Sequence, residues 1–216
     1  MNMKYAGVIF DLDGVICHTD VFHYKSWKSL ADSMNIYFDE EINNRLRGVS
    51  RMESLDIILE RYDGKPLSDA EKLRIADDKN EIYKKLLAQM DESYVTQSVS
   101  DTLNKLRKGG IKLAIGSSSK NAGLILSRIG LGDFFDAVSD GNNIEFSKPH
   151  PQVFQIAAED ISLPPSLCLV VEDAKAGIEA AVAGGFDSAA IGDATEDERA
   201  TYKIAEFSEL VGIVLG

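Results

Sequence analysis

The stretch Ala6-Gly7-Val8-Ile9-Phe10-Asp11-Leu12-Asp13-Gly14-Val15 carries the first decision about the fold. Its apolar residues run without alternation from Ala6 to Phe10 and stop at two aspartates and a glycine. That is how a strand buried on both faces leaves a parallel sheet. Period-2 geometry turns Asp11 and Asp13 to one side and Leu12 to the other. Two carboxylates so close repel, and a divalent cation with oxygen ligands relieves the repulsion. The plainer alternative is that they end the strand and cap the next helix.

From about Val21 to Gln89 the periodicity becomes helical, with Trp27, Leu30, Ala31 and Met34 at three- and four-residue spacings. Gly48 and the Asp63-Gly64-Lys65-Pro66 turn punctuate this stretch, and Ser68 with Glu71 forms a capping box. Beyond Tyr94 a helix over 99–108 stops at Gly109-Gly110, and a strand follows over 111–116 (IKLAIG). The alternation continues through a Ser-rich turn and helix, FFDAVSD, a helix after Pro151, the strand LCLVVED at 167–173, a helix from Ala174 to Ala183 and the strand SAAIG at 188–192. Strands spaced by helices predict an α/β fold, a doubly wound parallel sheet with a Rossmann-like core, and the helical stretch reads as an inserted cap. The expected division is a core of residues 1–17 and 92–216 and a helical cap of residues 18–91.

A chain of 216 residues with 44% hydrophobic and 27% charged residues has enough apolar content to fold. Its formal charge of −12 argues against nucleic acid and anionic membrane surfaces as partners, so any anionic ligand must be held by a local pocket. The N-terminal apolar run is too short for a secretory h-region or a membrane span. Cys17 and Cys168 lack paired spacing, and a cytoplasmic location with free thiols is the expectation.

In an open parallel sheet, ligands sit outside the carboxyl ends of the strands. Besides Asp11 and Asp13, three such ends are distinctive. Ser117-Ser118-Ser119-Lys120-Asn121 offers hydroxyls and free helix-start N–H groups for a phosphate, or merely a helix cap. In Ser147-Lys148-Pro149, the proline holds the lysine in an extended segment, where it is a positioned charge or an ordinary surface lysine. Val170-Val171-Glu172-Asp173 ends another apolar strand in adjacent carboxylates, again metal ligands or caps. The common order and placement of all four favours chemistry over capping. GIKLAIGSSSK does not fit a P-loop, and no GxGxxG follows a strand.

With these motifs the sequence resembles the haloacid-dehalogenase superfamily over essentially the whole chain: Asp11-x-Asp13, Ser117, Lys148 and Glu172-Asp173. Thr19, His23, Trp27, RGVSR at 47–51, SLDIIL at 54–59, Lys79-Asn80, SSSKN and SKPHPQVF are similar to the β-phosphoglucomutase family. Cys17-His18 and Arg47 depart from its pattern. The resemblance implies that Asp11 is a nucleophile that becomes an aspartyl phosphate and Asp13 the general acid and base. It implies a Mg²⁺ ion held by Asp11, the Asp13 carbonyl, Glu172 and Asp173. Ser117, Lys148 and the Ser118-Ser119 turn would hold the transferring phosphoryl group, and Arg51, Ser119, Lys120 and Asn121 a second phosphate. Thr19, His23, Trp27 and Lys79 would complete the substrate set, with His23 and Lys79 coupling sugar binding to cap closure. The implied ligands are a sugar phosphate and a sugar bisphosphate, and the implied state is a monomer. Two rival activities share the core motifs: a sugar-phosphate or phosphoglycolate phosphatase, and a receiver-like switch phosphorylated on Asp11, for which the helical cap would have no purpose.

Overall fold

Strand β1 (Gly7–Phe10) is buried along its whole length, and its side chains alternate between two hydrophobic clusters. Val8 and Phe10 enter one cluster, and Ile9 enters the other. The same alternation in the central strands β2 (Lys112–Gly116) and β4 (Cys168–Glu172) gives the sheet two apolar faces, so both must be covered by helices. The computed structural model of the protein describes residues 4–46 and 49–216. Arg47 and Gly48, read above as a family departure and a helix break, lie outside the described residues.

β3 (Ala137–Ser139), β5 (Asp187–Ala190) and β6 (Tyr202–Lys203) complete a parallel sheet in the order β3-β2-β1-β4-β5-β6. The helices up to the second strand are α1 (Asp20–Ser33), α2 (Glu40–Asn44), α3 (Arg51–Leu59), α4 (Asp69–Leu87) and α5 (Gln97–Lys108). They are followed by α6 (Ala122–Arg128), α7 (Gln152–Asp160), α8 (Lys175–Ala183) and α9 (Leu210–Leu215). Residues of α7 and α8 cover the Ile9 face, whereas α5, α6 and α9 cover the Val8 and Phe10 face. The chain leaves β1 toward β2 and later returns to pair β4 on β1's other side, which opens a crevice beyond the carboxyl end of β1.

Helices α1–α4 lie in the chain between β1 and β2 and build a hydrophobic cluster of their own, from Trp27, Leu30 and Ala31 through Phe38 and Ile42 to Leu55, Ile58 and Ala76. Phe22 of α1 and Tyr83 and Leu87 of α4 instead join the sheet's cluster, so those two helices are rooted in the core. The Ser68–Glu71 capping box starts α4 as the sequence predicts. A second one, Ser50 with Glu53, starts α3, and it sets the position of Arg51 as the first helical residue. The short edge strand β6 and the terminal α9 carry little periodicity of their own and were not expected from the sequence.

Candidate active site

Asp11 follows β1 directly, and its backbone N–H donates to the Val171 carbonyl at 2.9 Å, so the ends of β1 and β4 are tied where both turn acidic. Gly14 then takes φ +88°, and an added Cβ there would sit 2.0 Å from Asp173 Oδ2. Only glycine lets the loop turn this way against that carboxylate. Gly177 in α8 does the same for Glu172, since a Cβ would lie 1.9 Å from its Oε1.

Lys148 is 1% exposed, and its Nζ lies 2.5 Å from both Asp11 Oδ1 and Glu172 Oε1. Burial works against this ammonium, but the two carboxylates outweigh it and hold its pKa above the ordinary lysine value. Burial pushes the Asp11 carboxyl up, Lys148 pulls it down, and Glu172 and Asp173 add to the upward push. One ammonium among three carboxylates leaves the site short of positive charge.

A hard divalent cation is the group such a site would take, because its donors are all oxygens and the uncompensated charge is negative. Among the described residues, however, no three His, Cys, Asp or Glu side chains form a ready ligand set. Glu172, expected as a ligand, has one oxygen on Lys148 and accepts from the Ala174 N–H at 2.9 Å with the other. Asp11, the Asp13 carbonyl, Asp173 and, through a lone pair that Lys148 does not use, Glu172 would offer oxygens to an ion. A ligand set this sparse suits Mg²⁺, which keeps several of its waters.

Asp13 sits at the crossing of two sets of groups. Thr19, fully buried, donates a short hydrogen bond to its Oδ1, and His23 Nε2 approaches its Oδ2 at 3.9 Å. Burial pushes the Asp13 carboxyl up to about 6, against the Thr19 hydrogen bond. Lys79 Nζ lies 3.1 Å from His23 Nδ1, 4.6 Å over the Trp27 ring and 4.5 Å over the Tyr83 ring. Burial and the nearby Arg51 lower Lys79 to about 7, and burial together with Lys79 drives His23 well below its usual value. His23 is therefore neutral. With a protonated Lys79 donating to Nδ1, its Nε2 carries the proton that faces Asp13.

The Ser-rich loop after β2 is pinned by its own hydroxyls: Ser117 Oγ accepts from the Ser119 N–H and Ser119 Oγ from the Asn121 N–H, both at 3.2 Å. Ser118 Oγ is buried with no hydrogen-bond partner, a polar group that a bound oxyanion would satisfy. Asn121 donates to Asn80 Oδ1 of α4 at 2.9 Å, which links the loop to the inserted helices. Arg51 and Asp77 form a loose pair at 3.4 Å.

The candidate site residues named from the sequence, Thr19 excepted, line one cavity of about 1000 Å³, which Asp11, Lys148 and Asp173 near the strand ends share with Arg51 and Lys79 of the inserted helices and Lys120 of the Ser-rich loop. Thr19 is buried and bonds Asp13. Sequence reasoning did not single out Tyr83, which stacks on His23 at 4.2 Å and reaches Thr19; its place four residues after Lys79 on one helix face was the available signal.

The family model described as haloacid dehalogenase-like hydrolase matches residues 8–191. The chain belongs to that family. It is 35% identical over 205 residues to a β-phosphoglucomutase of Bacillus subtilis, covering 94% of this chain and 90% of that one. It is 30% identical over 188 residues to a fructose-1-phosphate phosphatase of Escherichia coli, covering 87% and 97%. Among solved structures, a β-phosphoglucomutase from Clostridium difficile superimposes with a TM-score of 0.89 at 34% identity, over 95% of this chain and 93% of that one. These relatives include both mutases and phosphatases of phosphorylated sugars. No helix among the described residues is long and apolar enough to cross a membrane.

Proposed function

We propose that this chain is a β-phosphoglucomutase, interconverting β-D-glucose 1-phosphate and D-glucose 6-phosphate through an aspartyl phosphate on Asp11 and β-D-glucose 1,6-bisphosphate. The observation that carries the reading is the cavity itself. Lys148 stands beside the nucleophile, and Arg51 of the inserted helices and Lys120 of the Ser-rich loop line the same cavity, which therefore offers cations to both phosphates of a bisphosphate. In this reading residues 18–91 act as a cap over a core of residues 1–17 and 92–216, and the monomer is the working unit.

Asp11 attacks phosphorus while Lys148 and the Ser117–Ser119 loop hold the non-bridging oxygens. Asp13 protonates the departing sugar oxygen in one half-reaction and takes the proton from the attacking hydroxyl in the other. Mg²⁺ would be held by Asp11, the Asp13 carbonyl, Glu172 and Asp173, and would supply charge that lets a carboxylate meet an anionic phosphoryl group. Glu172 keeps Lys148 in place. Neutral His23, with Lys79 behind it, orients Asp13, and closing the cap keeps water from the aspartyl phosphate.

The phosphatase reading keeps the same nucleophile, and the similarity to a fructose-1-phosphate phosphatase supports it. One assay separates the two. The protein is supplied with Mg²⁺, β-glucose 1-phosphate and a trace of the bisphosphate, and glucose 6-phosphate and free phosphate are followed together with Asp11→Ala as control. Bisphosphate-dependent glucose 6-phosphate formation that Asp11→Ala abolishes supports the mutase. Phosphate without isomerised sugar overturns it.

A further inference from the structure

We propose that Tyr83 is a positioning residue for Asp13 and acts on it through the Thr19 hydroxyl, an inference that rests on the acid–base role given to Asp13 above. Tyr83 belongs to α4, is 1% exposed, and places its hydroxyl 2.9 Å from Thr19 Oγ1, on a residue 64 positions earlier in the chain. The same Thr19 oxygen contacts Asp13 Oδ1. A hydroxyl has one proton to give. An ionised carboxylate only accepts, so the Thr19 proton goes to Asp13 and the Tyr83 O–H must be the donor to Thr19.

The order Tyr83 to Thr19 to Asp13 then holds the threonine rotor, and through it one carboxylate oxygen, from the helix that also carries Lys79. Without the phenol hydroxyl, Thr19 is free to turn toward a backbone carbonyl and Asp13 loses its fixed donor. The Tyr83 ring has separate duties: it stacks on His23 at 4.2 Å and lies 4.5 Å beneath Lys79 Nζ. Packing alone would be met by phenylalanine, since a buried hydroxyl adds nothing to a core unless it is bonded.

Tyr83→Phe isolates the hydroxyl, because the ring, its stacking and its cation contact remain. Two phosphate donors separate a positioning role from a merely structural one. A sugar oxygen needs the Asp13 proton as it leaves or attacks, whereas p-nitrophenolate leaves unaided. In Tyr83→Phe, kcat/KM is expected to fall about tenfold for β-glucose 1-phosphate and less than about twofold for p-nitrophenyl phosphate, as for partial loss of a general acid–base contribution. In a Thr19→Val background, Tyr83→Phe should have no further effect.

Equal losses on both donors would make Tyr83 a packing residue, unchanged rates on both would make its hydroxyl idle, and additive effects with Thr19→Val would remove the relay. Each result overturns the proposal. The wild-type product, isomerised sugar or free phosphate, reports separately on the mutase reading, and the ratio between donors is read on either.

Discussion

Replacing Lys148 by Met takes away the ammonium set among Asp11, Glu172 and Asp173. Its side chain is 2% exposed and contacts two carboxylates at 2.5 Å, so nothing from solvent can take its place. Removing one partner of a buried ion pair typically costs about 3–5 kcal/mol. For a protein of this size each kcal/mol moves Tm by about 2–4 °C, giving a loss of roughly 6–20 °C. The pH dependence follows from Asp11. Its pKa is raised in the folded state, so the folded chain binds its proton more readily than the unfolded one, and that contribution favours folding in acid and is lost as pH rises through the raised pKa. Without Lys148 the pKa moves further up, so the variant's deficit is largest near neutrality and narrows in acid. Thermal unfolding followed by circular dichroism at pH 7.5 and pH 5, with EDTA present so that no divalent cation substitutes for the ammonium, measures it. A Tm within about 2 °C of wild type at both pH values, or a deficit that widens in acid, would refute the assignment of Lys148 as the charge that holds these carboxylates together.

Gly177→Ala should lower stability by about 1–3 kcal/mol, because the new Cβ meets a Glu172 that is fixed by Lys148 and Ala174. An ordinary helical glycine would gain about 1 kcal/mol from the same change, so a raised Tm would show that Glu172 is free to move. Lys79 is held near 7 in the folded state against 10.5, so between these values the unfolded chain binds more protons and wild-type stability rises with pH. Lys79→Met should therefore be more stable than wild type at pH 6.5 by about 1 kcal/mol or more, lose that advantage toward pH 10, and turn over substrate more slowly; paired melts and rate assays test this. Cys17 and Cys168 are 1% and 0% exposed, and burial pushes Cys168 up to about 11 and raises Cys17 as well. Ellman's reagent at pH 8 should therefore find no fast thiol in the native protein and both after denaturation.

Much of the architecture was legible because its signals are local. An unbroken apolar run such as Gly7–Phe10 has no polar face to expose, so it marks a central parallel strand without knowledge of its neighbours. The Ser68–Glu71 box and the glycine stops work in the same way, through backbone groups a few residues apart. β6 escaped the reading because two residues, Tyr202 and Lys203, are too few to show a period, and they become a strand only by pairing with Ala189 and Ala190. α9 is short and apolar, and what makes it a helix is its place against α5, where Leu210 and Val214 join the core cluster.

The site divides along the same line. The sequence by itself determined which residues are candidates for chemistry: Asp11 and Asp13, the Ser117–Asn121 loop, Lys148 and Glu172-Asp173 all lie at strand ends or in the loops after them, and a parallel sheet brings such ends to one edge whatever the packing. Only the tertiary structure decided which atoms each residue meets. Glu172, beside Asp173 in the sequence, also accepts from Lys148, 24 residues away, and Gly177 leaves room for it there. Tyr83 reads as an ordinary buried aromatic in a helical period, and its hydroxyl acquires a role only where α4 packs beside α1 and reaches Thr19. Hydrogen bonds and ion pairs depend on separations of a few tenths of an ångström between residues far apart in the chain, and hydrophobic period specifies faces, not those separations.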